Sequence, residues 1–188
     1  ASALSSPFVA EDFNFKSRIL QGARENLPRW KRCVSATNGA LGEALGEVYV
    51  KKAFPPAAKA RVLEMIHNLK AALKSDISTL SWMSEATRKQ AIIKLDAFLE
   101  KIGYPDKWRD YSKLTITRGD ALGNQFRARS FENDRDAAKI GKPVDRAEWG
   151  MTPPTVNAYY SPQLNDVNFP AGYLQPPFYS QKEDDAAN

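Results

Sequence analysis

The sequence predicts a mainly α-helical chain that closes with a β-hairpin and a proline-rich segment. Apolar residues recur at helical spacing through the first half of the chain, most plainly at Val62, Met65, Ile66, Leu69, Leu73 and Ile77. Prolines and glycines interrupt these stripes at Gly22, Pro28, Pro55-Pro56 and Gly103 with Pro105. Near the end the pattern changes: Thr155 to Tyr160 is β-branched and aromatic, Ser161 to Asp166 is turn chemistry, and Val167 to Phe169 returns as a second short strand.

Taken in order, Phe13, Phe15, Ile19 and Leu20 mark a short amphipathic helix ending at Gly22, and the polar Ala23 to Asn26 connects it onward. Pro28 suits a first turn. A helix follows through Trp30, Cys33 and Val34 toward Asn38-Gly39 and resumes through Leu41, Leu45, Val48 and Tyr49. Gly39, Gly42 and Gly46 weaken it and are read as sites of close packing. Pro55-Pro56 ends this helix and opens the next, whose apolar stripe leaves His67 just to one side.

Ser84 is placed to cap a third helix with Ile92, Leu95, Phe98, Leu99 and Ile102 on its buried face, and Gly103 with Pro105 stops it. Trp82 and Met83 are expected to fold back on that face. Trp108 to Thr117 reads as an irregular crossing, and Asp120 caps a further helix through Leu122, Phe126, Ala128 and Ala137 that ends near Gly141. Val144 to Pro154 leads into the hairpin. Beyond the hairpin little looks like strand. Gly172 to Phe178 cannot continue a ladder, because prolines lack the donor, and should run as a rigid extended or turn segment presenting aromatic rings.

With 188 residues, 43% hydrophobic and 26% charged, the chain lies in the ordinary globular range, and one domain or one and a half is expected. No apolar run approaches bilayer length, and Ala1 to Pro7 lacks the basic and apolar regions of a signal peptide, so any targeting segment is expected outside this stretch. The net charge of +5 comes from scattered basic residues. Lys59, Arg61, Lys70 and Lys74 sit among Glu64 and Asp76, and Arg88, Lys89 and Lys94 alternate with Glu85, Asp96 and Glu100, as on solvated helix faces. With no zinc finger, aromatic RNA motif or phosphate loop, nucleic-acid binding is not expected. Cys33 is the one cysteine and has no internal disulfide partner; by itself it reads as a small buried hydrophobe in a helix. His67 is the one histidine, so no metal site or catalytic role is assigned to it.

Three blocks near the end, Asn157-Ala158-Tyr159-Tyr160, Phe169-Pro170-Ala171-Gly172 and Leu174-Gln175-Pro176-Pro177-Phe178, resemble in type and spacing the segment before the zinc-binding helix of the neprilysin family of zinc metallopeptidases. That family includes the endothelin-converting enzymes and bacterial oligopeptidases. Upstream, Pro28-Arg29-Trp30-Lys31-Arg32-Cys33, Gly46-Glu47-Val48-Tyr49-Val50 with Ala53-Phe54, Trp82-Met83 and Ile102-Gly103-Tyr104-Pro105 resemble the same family in the same order. The resemblance is weakest from Ala1 to Phe13 and from Thr117 to Pro143.

The resemblance implies that residues 1–117 are part of a helical lid lobe that limits access to short peptides. Residues 118–188 would begin a thermolysin-like catalytic lobe containing the substrate-binding edge strand. Asn157 would grip the main chain of a peptide substrate, Ala158 would turn its carbonyl toward the scissile region, and Tyr159 would stand near the subsite before the scissile bond. Tyr173 and Phe178 match positions lining the pocket after that bond, where large apolar side chains are preferred, although an aliphatic residue is common at the first; ordinary aromatic packing is an equal reading of both. The family's zinc is held by a His-Glu-x-x-His helix and a downstream glutamate, so zinc would be bound by sequence outside this chain, and this chain alone should be inactive.

In animal members the matching cysteine pairs with a partner upstream, which keeps a bridge to absent sequence open for Cys33. Ser180 to Asn188 reads as an exposed loop of the kind proteases cut, and the chain is expected to remain bound to a carboxy-terminal segment carrying the zinc helix. The resemblance also implies an extracytoplasmic location. A non-catalytic helical peptide-binding module is the alternative function.

Overall fold

The computed structural model describes residues 3–188. Contacts divide the chain into two compact units: residues up to Gly42 with Arg109–Val144, and Glu43–Trp108 with Asp145–Asn188. The mainly helical class and the closing hairpin are both present.

In the first unit, helix α1 (Ser6–Phe13) runs on as a π-helical turn over Asn14–Ile19, and the chain leaves it at Gly22, whose φ of +69° suits a residue without Cβ. Helix α2 (Arg29–Ala53) starts directly after Pro28, and α5 (Ala121–Ala137) starts where Asp120 accepts a hydrogen bond from the Gly123 amide at 2.9 Å. Arg127 braces the same carboxylate at 2.9 Å. These donors hold the Asp120 carboxyl below the usual carboxylate range, the Gly123 amide contributing most. Tyr111 stacks on Phe131 at 5.5 Å. Cys33 corrects the expectation from sequence. It lies on α2 but is exposed, as are Trp30 and Val34 beside it, because no described element of this unit covers that face.

The second unit holds the core. Helix α2 is interrupted at Leu41, where φ is −136° and ψ 39°, and its following turns lead to Val50 and Phe54. These pack with Ala58 and Val62 of α3 (Pro56–Thr79), with Ile102, and with Ala171, Leu174 and Tyr179 from beyond the hairpin. Gly46 is a true close approach, since a Cβ there would lie 2.6 Å from Pro153 Cδ. Gly39 meets open space, so the packing role expected of it is absent. The Ser84 cap is present, its hydroxyl accepting from the Thr87 amide at 3.2 Å, and α4 (Glu85–Asp96) follows.

Helix α4 stops at Asp96, earlier than its apolar spacing suggested. Phe98, Leu99 and Ile102 are therefore not on a helix face. Leu99–Gly103 forms strand β1, which pairs in parallel with β3 (Asp166–Pro170), while β2 (Tyr159–Ser161) pairs antiparallel with β3 as the hairpin partner. The reason is a competition between periods: Leu99 and Ile102 satisfy a helical stripe, but a strand here lets Lys101 and Ile102 reach opposite faces of a sheet. Trp82 is 72% exposed and does not fold back on α4; Met83 beside it is half-buried.

Candidate functional site

The strand order is β1-β3-β2, so β2 is a sheet edge whose outer side no described strand pairs. Asn157 and Ala158 run directly into this edge without joining the ladder. Asn157 is exposed, and its Oδ1 accepts from the Ala158 amide at 2.8 Å; Ala158 is half-buried. Tyr159, the first residue of β2, is half-buried and its hydroxyl accepts from the Gly150 amide at 2.9 Å. Burial pushes its phenol pKa up, with Asp166 and Glu148 adding to the effect, so Tyr159 stays neutral across the physiological range.

Residues opposite one another in a sheet share a face. The register puts Tyr159 with Asn168 and Lys101, and Ser161 with Asp166 and Leu99. This face is polar and sealed: Lys101 is 7% exposed, and Asp166 and Asn168 are 0% exposed. Lys101 Nζ donates to Asp166 Oδ2 at 2.6 Å and to the Glu148 carbonyl at 2.7 Å, joining β1, β3 and the loop before the hairpin. Asp166 Oδ1 and both polar side-chain atoms of Asn168 have no protein partner. None of these three residues stood out in the sequence. The only local sign was two polar residues alternating inside a short strand.

The other face carries Tyr160, Val167 and Phe169 and looks into an apolar groove of about 690 Å³ lined also by Leu69, Leu73 and Leu95. Phe98 stacks on Tyr160 at 6.1 Å. The hairpin turn is tied to α4 by Asn165, which takes φ +51° and donates from Nδ2 to the Lys94 carbonyl at 2.8 Å, while Lys94 Nζ bonds the Tyr160 hydroxyl at 2.8 Å. Arg146 bonds the carbonyls of Ala97 and Leu164 at 3.1 and 2.9 Å. The edge strand is thus bolted to the helices of its own unit.

Beyond β3 the chain turns over the core. Gly172 is required there, because a Cβ would lie 2.4 Å from the Pro154 carbonyl oxygen. Gln175 Nε2 donates to the carbonyls of Ala171 and Ala53, each at 3.1 Å, which satisfies an acceptor at the end of α2. Tyr173 stacks on Phe178 with centroids 4.8 Å apart and tilts against Phe169 at 5.8 Å. Phe178 remains 53% exposed, so this row of rings ends at the surface. The structure therefore places Asn157 and Ala158 directly before Tyr159, the first residue of edge strand β2, and Tyr173 with Phe178 in one ring stack.

His67 is exposed on α3, and no cluster of three or more His, Cys, Asp or Glu suited to a metal occurs among the described residues. The residues present do not compose a zinc site. No helix among them is long and apolar enough to cross a membrane.

This sheet edge, with its aromatic turn, lies in a stretch matched by the family model for peptidase family M13, over residues 157–188, and the amino-terminal model of the same family matches residues 1–105. The chain belongs to peptidase family M13. Human endothelin-converting enzyme 1 is 40% identical over 195 residues, covering 100% of this chain and 25% of the human protein. The zinc metalloprotease Zmp1 of Mycobacterium tuberculosis, solved in complex with an inhibitor, is 49% identical with a TM-score of 0.87, over 97% of this chain and 27% of that one. PepO of Lactobacillus rhamnosis is 31% identical with a TM-score of 0.79, over 97% and 29% of the respective chains. This chain spans about a quarter of the length of the curated relatives it matches.

Proposed function

We propose that this chain supplies the substrate-binding edge, and part of an access-limiting helical lobe, of a zinc metalloendopeptidase that cleaves short peptides on the amino side of large apolar residues. The observation that carries the reading is β2 as a sheet edge entered by Asn157 and Ala158, inside a stretch matching the peptidase family. A peptide laid along that edge gains main-chain hydrogen bonds whatever its sequence, and its alternate side chains enter pockets. Asn157 carries both a donor and an acceptor on an exposed side chain, the pair needed to hold one peptide unit. Ala158 is small enough to let the substrate backbone approach, with its carbonyl toward the scissile bond. Tyr159 borders the subsite before that bond, and Tyr173 with Phe178 forms an apolar wall for the side chain after it.

In this reading residues 1–117 belong to the lid lobe and 118–188 begin the catalytic lobe. Zinc is assigned to sequence outside this chain, on a carboxy-terminal segment carrying a His-Glu-x-x-His helix. The extracytoplasmic location carried by the family resemblance is part of the same proposal.

Two measurements test it. Made without its carboxy-terminal continuation, the chain should retain no stoichiometric zinc and hydrolyse no peptide, since a catalytic zinc takes three protein ligands and the sequence has one histidine; metal analysis after dialysis and a chelator-controlled peptidase assay read this out. In the complete protein, Asn157→Ala should lower kcat/KM by about one to two decades on several unrelated peptides, about 1.4–2.7 kcal/mol, with zinc content unchanged. Unaltered kinetics would return Asn157 to a packing role. Peptide binding without hydrolysis in the complete wild-type protein would assign the edge to a non-catalytic peptide-binding module.

A further inference from the structure

Helix α3 presents one guanidinium to the chain beyond the proline segment. Arg61 precedes the buried Val62, so its stem leaves the edge of the core and its head reaches across residues 181–185. Nη2 donates to the Glu183 carbonyl at 2.7 Å and to Asp185 Oδ1 at 2.8 Å, Nε reaches the same carboxylate oxygen at 3.2 Å, and Nη1 donates to the Gln181 carbonyl. The loop also closes on itself. Asn188 accepts from the Ser180 amide at 2.8 Å and donates to the Ser180 carbonyl at 3.0 Å, and Asp184 accepts from the Ala186 amide at 2.8 Å.

An exposed ion pair alone contributes little. Here two of the three acceptor groups are backbone carbonyls, at alternate residues, so what the guanidinium recognises is the course of the loop more than its charge. A planar fork with five donors can satisfy all three groups together, whereas a lysine ammonium on a flexible stem cannot match that geometry. Immediately before the loop, Tyr179 is buried against α3 and Phe178 ends the ring stack. A loop held by Arg61 therefore fixes the direction in which the chain leaves the proposed substrate wall.

We propose that Arg61 is a positioning residue, a clamp that orders loop 181–185 on α3 and holds the exit from the aromatic wall in one course. Its kinetic consequence rests on the peptidase reading above. The test uses the complete protein, with Arg61→Gln, Arg61→Lys and Asp185→Asn compared with wild type. Amide hydrogen exchange in peptides covering 181–188 should be about tenfold faster in Arg61→Gln, nearly as fast in Arg61→Lys, and less affected in Asp185→Asn, which keeps both carbonyl contacts. Zinc content should not change, and kcat should fall by about tenfold with KM altered less than about twofold, the signature of misplaced groups. Wild-type exchange in Arg61→Gln overturns the clamp, and faster exchange with unchanged kcat overturns its positioning role. If the wild-type protein hydrolyses no peptide, the peptidase reading fails separately and the exchange rates still decide whether Arg61 orders the loop.

Discussion

Lys101→Met should lower the stability of the unit carrying the sheet by about 3–5 kcal/mol, the usual cost of removing one partner from a buried ion pair. The ammonium is held between Asp166 at 2.6 Å and the Glu148 carbonyl at 2.7 Å, and Asp166 is fully buried on the central strand. Without Lys101 that carboxylate has no countercharge and little water, while the Glu148 carbonyl loses its donor. Urea unfolding followed by tryptophan fluorescence measures the effect. Lys101→Met with Asp166→Leu should recover most of the loss, because an apolar pair of similar volume removes the charge together with its partner. A cost below about 1 kcal/mol for the single change would contradict a sealed pair. Since β3 is the strand on which the edge strand is registered, the single variant in the complete protein should also weaken the proposed peptide binding at temperatures where it remains folded.

Gly103→Ala should cost about 3 kcal/mol, from two independent sources. The residue sits at φ +76°, where a Cβ adds about 1–2 kcal/mol. That Cβ would also stand 2.5 Å from Phe54 Cε1, and Phe54 is 1% exposed at the centre of the core, so relief requires repacking that adds about 1–3 kcal/mol. Gly119→Ala separates the two contributions. Gly119 has φ +83° with nothing within 4 Å of a Cβ, and should show the backbone cost alone. Equal losses at the two positions, in parallel thermal or urea unfolding, would mean that the ring yields and that packing against Phe54 is not what demands glycine.

The features legible in the sequence were those whose causes are local. Ser84 and Asp120 cap because a short side-chain oxygen reaches an amide three residues on, a relation contained within four residues. Gly22 ends its helix at positive φ, as its position in the sequence indicates, whereas Gly103, expected to stop a helix, closes strand β1 at positive φ instead. The hairpin was visible because turn residues separate two β-rich runs, and Asn165 at φ +51° supplies the backbone reversal. The proposed substrate edge and ring wall rest on residue identities at Asn157, Ala158, Tyr159, Tyr173 and Phe178, whose spacing resembles that of a family; the structure adds that Asn157 and Ala158 lead into edge strand β2 at Tyr159 and that Tyr173 stacks on Phe178.

What the sequence by itself determined, then, was the helical framework with its caps and stops, the hairpin, and membership of the peptidase family. Tertiary structure decided whatever depends on residues far apart in the chain. Leu99 and Ile102 fit a helical stripe as well as a strand, and the choice fell to β3, which arrives more than sixty residues later to offer a parallel partner. Lys101 carries no signal of its own in the sequence, and its role is set by Asp166 and Glu148, 65 and 47 residues away, while Arg61 is one charge among several until a loop 120 residues away lies under its fork. Cys33 kept its helix but not its burial. Local signals report hydrogen bonds and backbone angles within a few residues, whereas burial and strand pairing are fixed by which distant segment covers a side chain, and no short window of sequence contains that partner.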